Sequence, residues 1–280
     1  MHGPPTLLSH TLRGVELAWW EWPGEGPPVI LCHGTGFHGR CWDRIVERLP
    51  GRRVLAVDFR GHGRSGKPDD DYAWRRFGED LAGLTTHLAI TAAVGVGHSM
   101  GGHAVALAAA LNPAAFGALL LLDPVILARD QYRGSAAPLD FVLRRRNEWT
   151  SPREMFERFQ SRAPFDRWNP DVLRDYCEHA LDGPRLACPP EVEASIYAQS
   201  GAIEANIHAE IGRVGQPATI VRSRDPYTYG KFDGSPTVPD LATRFQHGQD
   251  LHWTGVSHFI PMEAPNETAE LILNLESRIS

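Results

Sequence analysis

The run Gly97-His98-Ser99-Met100-Gly101-Gly102 follows an apolar stretch at 92–96 and leads into an Ala-rich helical pattern at 100–111. A G-x-S-x-G sequence between a strand and a helix forms a sharp turn that lifts the serine to the strand's carboxyl end. So tight a turn leaves no room for side chains two residues before and after the serine, and Gly97 and Gly101 supply none. Ser99 would then stand at a helix N-terminus, where free N–H groups favour negative charge. A serine hydroxyl is a weak nucleophile until a base removes its proton. The chemistry therefore needs a histidine within hydrogen-bond reach and a carboxylate to orient that histidine. Thirteen histidines are available.

The elements that must position these groups can be read from the apolar pattern. Residues 12–22 read as an early strand or hairpin arm, and 29–32, 54–57, 92–96 and 118–122 as strands buried on both faces. Helical spacing at 42–49, 77–88 and 100–111 separates them, the last stopped by Asn112-Pro113. Strict alternation predicts an α/β fold with a mostly parallel, doubly wound sheet. Between about 128 and 215 the strand-like runs vanish. Helix starts replace them: Ser151-Pro152-Arg153-Glu154, with an N-cap serine and a glutamate at the capping-box position, and Asn169-Pro170-Asp171, closed by Asp182-Gly183-Pro184. Strands return at 218–221 and 251–254, and a helix at 268–279 ends the chain. The expected organisation is one core domain, 1–127 and 216–280, interrupted by a helical cap at 128–215.

Four motifs in this order resemble the α/β-hydrolase superfamily, near its serine esterase and lipase-like branches with helical caps. They are His33-Gly34-Thr35-Gly36, Asp58-Phe59-Arg60-Gly61-His62-Gly63-Arg64-Ser65, the Ser99 turn, and Ser257-His258-Phe259-Ile260-Pro261-Met262-Glu263. The resemblance implies that His258 is the base and that an oxyanion is held by the N–H groups of Met100 and Thr35. It leaves His33 and the loop 60–65 in structural roles. For the acid it implies a carboxylate after the strand at 218–221, so Asp225 is the first choice, although Arg222-Ser223-Arg224-Asp225-Pro226 lacks the usual glycine. Asp123, after strand 118–122, is the alternative, and Asp233 a third. The resemblance implies hydrolysis of a carboxylic ester through an acyl-enzyme, without a cofactor. Lactone hydrolysis, carbon–carbon bond hydrolysis, cofactor-free perhydrolysis and non-catalytic binding of a small ligand stay open as alternatives on the same fold.

Composition limits the rest. The 280 residues carry 28 Lys and Arg against 34 Asp and Glu, a net charge of −6, which disfavours nucleic acid as a partner. With 42% hydrophobic and 22% charged residues the chain is of ordinary globular type. The longest apolar runs fall short of the roughly 20 residues a membrane span needs. No export signal is visible, so Cys32, Cys41, Cys177 and Cys188 are expected as free thiols and the location as cytoplasmic. His33, His38, His62, His98 and His103 form no metal-ligand spacing, and Gly95-Val96-Gly97 opens no dinucleotide fingerprint. Aromatic residues at 141, 149, 156, 159, 165, 168 and 176 should pack the cap, and Arg144–Arg146 should lie on a solvated face. Composition says nothing of the oligomeric state.

Overall fold

The computed structural model describes residues 2–136, 139–224 and 234–276. The chain opens with β1 (Thr6–Leu12) and β2 (Val15–Trp22), an antiparallel pair joined at Arg13-Gly14, both residues with positive φ. The early strand or hairpin arm expected at 12–22 is the second arm, β2, with Leu12 ending β1 and Arg13-Gly14 forming the turn. The remaining strands are β3 (Glu25–Cys32), β4 (Arg52–Asp58), β5 (Ala93–His98), β6 (Phe116–Leu122), β7 (Leu181–Asp182), β8 (Arg185–Leu186), β9 (Pro217–Ser223) and β10 (His247–Trp253). Eight of them form one sheet in the order β1-β2-β4-β3-β5-β6-β9-β10. From β4 to β10 every pairing is parallel, and only β1–β2 and β2–β4 are antiparallel.

The helices are α1 (Asp43–Val46), α2 (Trp74–His87), α3 (Met100–Leu111), α4 (Asp140–Leu143), α5 (Pro152–Phe159), α6 (Pro170–His179), α7 (Pro190–Ala198), α8 (His208–Ile211), α9 (Ile260–Glu263) and α10 (Pro265–Glu276). The strands' period-two alternation sends side chains to opposite faces. Ile30, Cys32, Leu119 and Leu121 join a cluster with α2 and α3. Val29, Leu31, Val94, Val96, Leu120 and Leu122 join a second cluster with α1 and α10. Burial on both faces is why these strands read as unbroken apolar runs. The strand order reverses at β3, which lies between β4 and β5, and at such a switch point the carboxyl ends of the strands border a crevice. The loop after β3 and the turn after β5 both begin there.

Between β6 and β9 the described residues add no strand to this sheet. They form α4 to α8 and the two-stranded ribbon β7–β8, whose turn holds Gly183 at φ 58°. Asp182-Gly183 therefore turns a ribbon, where the sequence suggested a helix stop; α6 already ends at His179. A third apolar cluster, with Trp149, Met155, Trp168, Val172 and Tyr176, seats this inserted segment on Cys41, Phe259 and Met262 of the sheet domain. Phe141, by contrast, is exposed. Arg145 also departs from expectation: it turns inward to pair with Glu193 and reaches Tyr176 Oη at 3.2 Å, while Arg144 is exposed.

Candidate active site

Ser99 sits between β5 and α3 with φ 56° and ψ −118°, a backbone conformation that non-glycine residues rarely adopt. The turn is packed as tightly as its glycines require. A Cβ on Gly97 would lie 2.3 Å from the Gly101 carbonyl oxygen, and one on Gly101 would lie 2.2 Å from that of Cys32. The Ser99 N–H is held by the Leu122 carbonyl at 3.0 Å, and the Ser99 carbonyl accepts from Gly102, His103 and Val125 N–H.

His258, in the turn between β10 and α9, faces the serine. Its Nε2 is 3.0 Å from Ser99 Oγ, and its Nδ1 is 2.9 Å from Asp123 Oδ2. All three residues are buried, with 7% of Ser99, 4% of His258 and none of Asp123 exposed. The tautomer these distances fit has Nδ1–H donating to the carboxylate and Nε2 accepting the serine hydroxyl. The carboxylate that reaches His258 is thus the alternative one, at the end of β6. Asp225, the first choice from sequence, and Asp233 lie outside the described residues.

Asp123 holds φ 47°, and its N–H bonds the Val221 carbonyl at 2.7 Å, so β9 fixes the turn that presents it. Its carboxylate also accepts Ser223 N–H at 3.0 Å, Ser223 Oγ–H at 2.7 Å and the Ser235 hydroxyl. Burial pushes this carboxyl up, and the hydrogen bond and charge of His258 with the Ser235 and Ser223 bonds outweigh it, leaving it below the usual carboxylate range. Sequence reading missed Ser223 and Ser235; nothing in a strand-end serine or a serine 112 residues away announces such a role.

The loop after β3 passes directly over the serine. A Cβ on Gly34 would lie 3.0 Å from Ser99 Cβ, and Thr35 Oγ1 contacts Met100 Sδ at 3.4 Å. Met100 is the first residue of α3, and the first N–H groups of a helix have no intrahelical acceptor. The loop is fixed from below by imidazoles. His33 Nδ1–H donates to the Gly34 carbonyl at 2.8 Å while its Nε2 accepts Phe59 N–H at 3.1 Å. His62 Nε2 accepts Gly36 N–H at 3.0 Å, its Nδ1 facing the Arg60 carbonyl at 2.9 Å. Burial holds His62 down at about 4 and His33 well below the ordinary histidine value, so both stay neutral and can accept. Through His62, the loop 60–65 supports the 33–36 loop.

His98 contributes a further bond: its Nε2 lies 2.8 Å from the His258 carbonyl oxygen, and burial holds its pKa at about 3. The four cysteines are buried and unpaired. Among the described residues no group of three His, Cys, Asp or Glu side chains could hold a metal ion, and no helix is long and apolar enough to cross a membrane.

Residues 29–271 match the alpha/beta hydrolase family, and the chain belongs to that family. A non-heme chloroperoxidase from Streptomyces lividans is 30% identical over 241 residues, covering 82% of this chain and 86% of that protein. Esterase Rv0045c from Mycobacterium tuberculosis is 36% identical over 124 residues, 44% of this chain and 41% of its own length. Other Mycobacterium relatives, themselves uncharacterized, are 37% identical over 100 residues, and the match spans 29% of their length. Among solved structures, E-2-(acetamidomethylene)succinate hydrolase superposes with a TM-score of 0.76 over 97% of this chain and all of that one, at 22% identity.

Proposed function

We propose that this protein is a serine hydrolase acting on carboxylic esters, with Ser99 as nucleophile, His258 as general acid and base, and Asp123 as the orienting carboxylate. The single observation that carries the reading is the continuous chain from Ser99 Oγ through His258 to Asp123, with links of 3.0 and 2.9 Å. Ser99 Oγ attacks the ester carbonyl as Nε2 takes its proton, and Asp123 stabilises the imidazolium that forms. Charge on the tetrahedral oxygen falls to the N–H groups of Met100 and Thr35. His258 then returns the proton to the leaving alcohol, and water, activated by the same imidazole, releases the acid. Residues 128–215 serve as the cap over this centre, its aromatic cluster meeting Phe37 and Phe259 beside the 33–36 loop and His258.

A fluorophosphonate probe tests for an activated serine without knowledge of the substrate. Wild type should be labelled and should hydrolyse short p-nitrophenyl esters, and Ser99→Ala should do neither while folding normally. A Ser99→Ala variant that kept near-wild-type turnover would refute the assignment. The relative named a chloroperoxidase makes hydrogen peroxide worth testing as a second acyl acceptor. It would attack the same acyl-enzyme in place of water and release a peracid.

A further inference from the structure

Resting on the Ser99–His258–Asp123 reading, we propose that Glu263 is a positioning residue for His258 and that Arg167 of the inserted segment sets it. Glu263 closes α9, five residues past the histidine, and its side chain is only 4% exposed. Its carboxylate accepts the Ser257 N–H at 3.1 Å and also the Ser257 hydroxyl. That hydroxyl oxygen in turn faces the Phe259 N–H at 3.4 Å. The backbone on both sides of His258 is therefore tied to one carboxylate. His98 adds the third restraint, on the carbonyl of His258 itself.

The other side of the same carboxylate faces the inserted segment. Arg167 Nη2 lies 3.0 Å from Glu263 Oε2, its Nε lies 3.3 Å from both oxygens, and Nη2 also donates to the Gly255 carbonyl at 3.1 Å. Two residues on, the Asn169 N–H bonds the Met262 carbonyl at 2.9 Å. Hydrogen bonds between a guanidinium and a carboxylate are stronger than those between neutral groups. The guanidinium holds the stretch leading into His258 at two points, directly at Gly255 and through Glu263 at Ser257. A segment seated on the sheet domain thus holds the imidazole in register with Ser99, and a segment lifted away releases Arg167 from Glu263 and loosens that stretch.

The test uses the full chain, p-nitrophenyl acetate turnover, the fluorophosphonate labelling rate and thermal melting. A misplacement of about 1 Å can cost roughly 100-fold in rate, so Glu263→Ala should lower kcat by about 10- to 100-fold with KM within about threefold. Glu263→Gln keeps an oxygen for the Ser257 donors but loses the charge that Arg167 holds, so it should recover only part of that loss, to about the level of Arg167→Ala. Arg167→Ala should lower kcat and labelling rate together, and adding it to Glu263→Gln should cost little more, because the ion pair is already gone. The inference is overturned if Glu263→Ala and Arg167→Ala change only the melting temperature and leave kcat at the wild-type value. Should Glu263→Ala fail to fold, an unchanged kcat in Arg167→Ala, a half-exposed side chain, overturns it alone. Ester turnover surviving in Ser99→Ala would refute the underlying reading. An inactive Ser99→Ala beside unaffected Glu263 and Arg167 variants would refute this inference only.

Discussion

A carboxylate with no exposed surface is costly unless its oxygens are satisfied, and Asp123 meets that condition with His258, Ser223 and Ser235. Its ionised form keeps the proton of His258 on Nδ1, leaving Nε2 free to accept from Ser99. An amide in its place would present an N–H to the imidazole and select the opposite tautomer. Asp123→Asn should therefore lower kcat by roughly 10⁴-fold with little loss of folding. Asp225→Asn should stay within a few-fold of wild type; the reverse order of the two in steady-state assays would return the role to Asp225. Ser99 was legible in sequence because its turn is a local steric demand that Gly97 and Gly101 announce. The acid was not. Asp123-Pro124 reads as readily as a plain turn, and what aims its carboxylate is the pairing of β6 with β9, which depends on residues about a hundred positions away.

Among the elements, the loop 33–36 has little room beside Ser99. An alanine at Gly34 would set a methyl 3.0 Å from Ser99 Cβ and 3.1 Å from His98 Nδ1, so loop or serine must shift. Gly34→Ala should depress kcat on the smallest ester more than it raises KM, since the displaced loop carries the Thr35 N–H; unchanged kcat would separate that loop from the chemistry. The inserted segment acts on another quantity. Trp168 packs against Phe37, Phe259 and Tyr176 with ring centroids 5.4 to 5.8 Å apart, Phe37 against Tyr176 likewise at 5.7 Å. Trp168→Ala should change relative rates across p-nitrophenyl esters of increasing chain length more than the acetate rate. Equal losses on every ester would mark the cluster as packing alone. Much of this segment could be read in advance, because its helix caps are local: Ser151 accepts Glu154 N–H at 3.1 Å and Asn169 accepts Asp171 N–H at 2.9 Å. The Glu154 carboxylate, however, bonds Thr150 N–H and Oγ1–H, so the reciprocal half of a capping box is missing. The two-residue strands of β7–β8 carry too short a pattern to show period two, and Arg145 pairs with Glu193, 48 residues on, beyond the reach of any local rule.

At the scale of the whole molecule, the core holds several buried imidazoles, and this has a consequence for stability against pH. Burial holds His38 and His98 at about 3 and His62 and His103 at about 4, whereas in the unfolded chain each takes up a proton near 6.5. The folded values are depressed, so the unfolded state binds more protons between those limits. Stability from these groups is complete above about pH 7 and is lost as pH falls through 6.5 towards 4 for His62 and His103 and towards 3 for His38 and His98. One such group is worth about 1.4 kcal/mol per pH unit in that window, against a total of about 5–15 kcal/mol for a domain. Burial also raises Asp58, Asp80 and Glu193, and proton uptake there by the native state works in the opposite direction. A single-site comparison isolates the histidine contribution. His103 Nε2 bonds the Ala205 carbonyl at 2.8 Å, and its ring lies edge-on to Trp74. His103→Gln can keep that bond through its amide while removing the titration. Urea unfolding at pH 7.0, 6.0 and 5.0 should show wild type losing stability on acidification. In His103→Gln the loss between pH 6.0 and 5.0 should be smaller by about 1 kcal/mol. Parallel curves for the two proteins would mean that His103 titrates in the native state much as it does unfolded, and its burial would then have to be relieved by opening of the contact between α3 and residues 203–205.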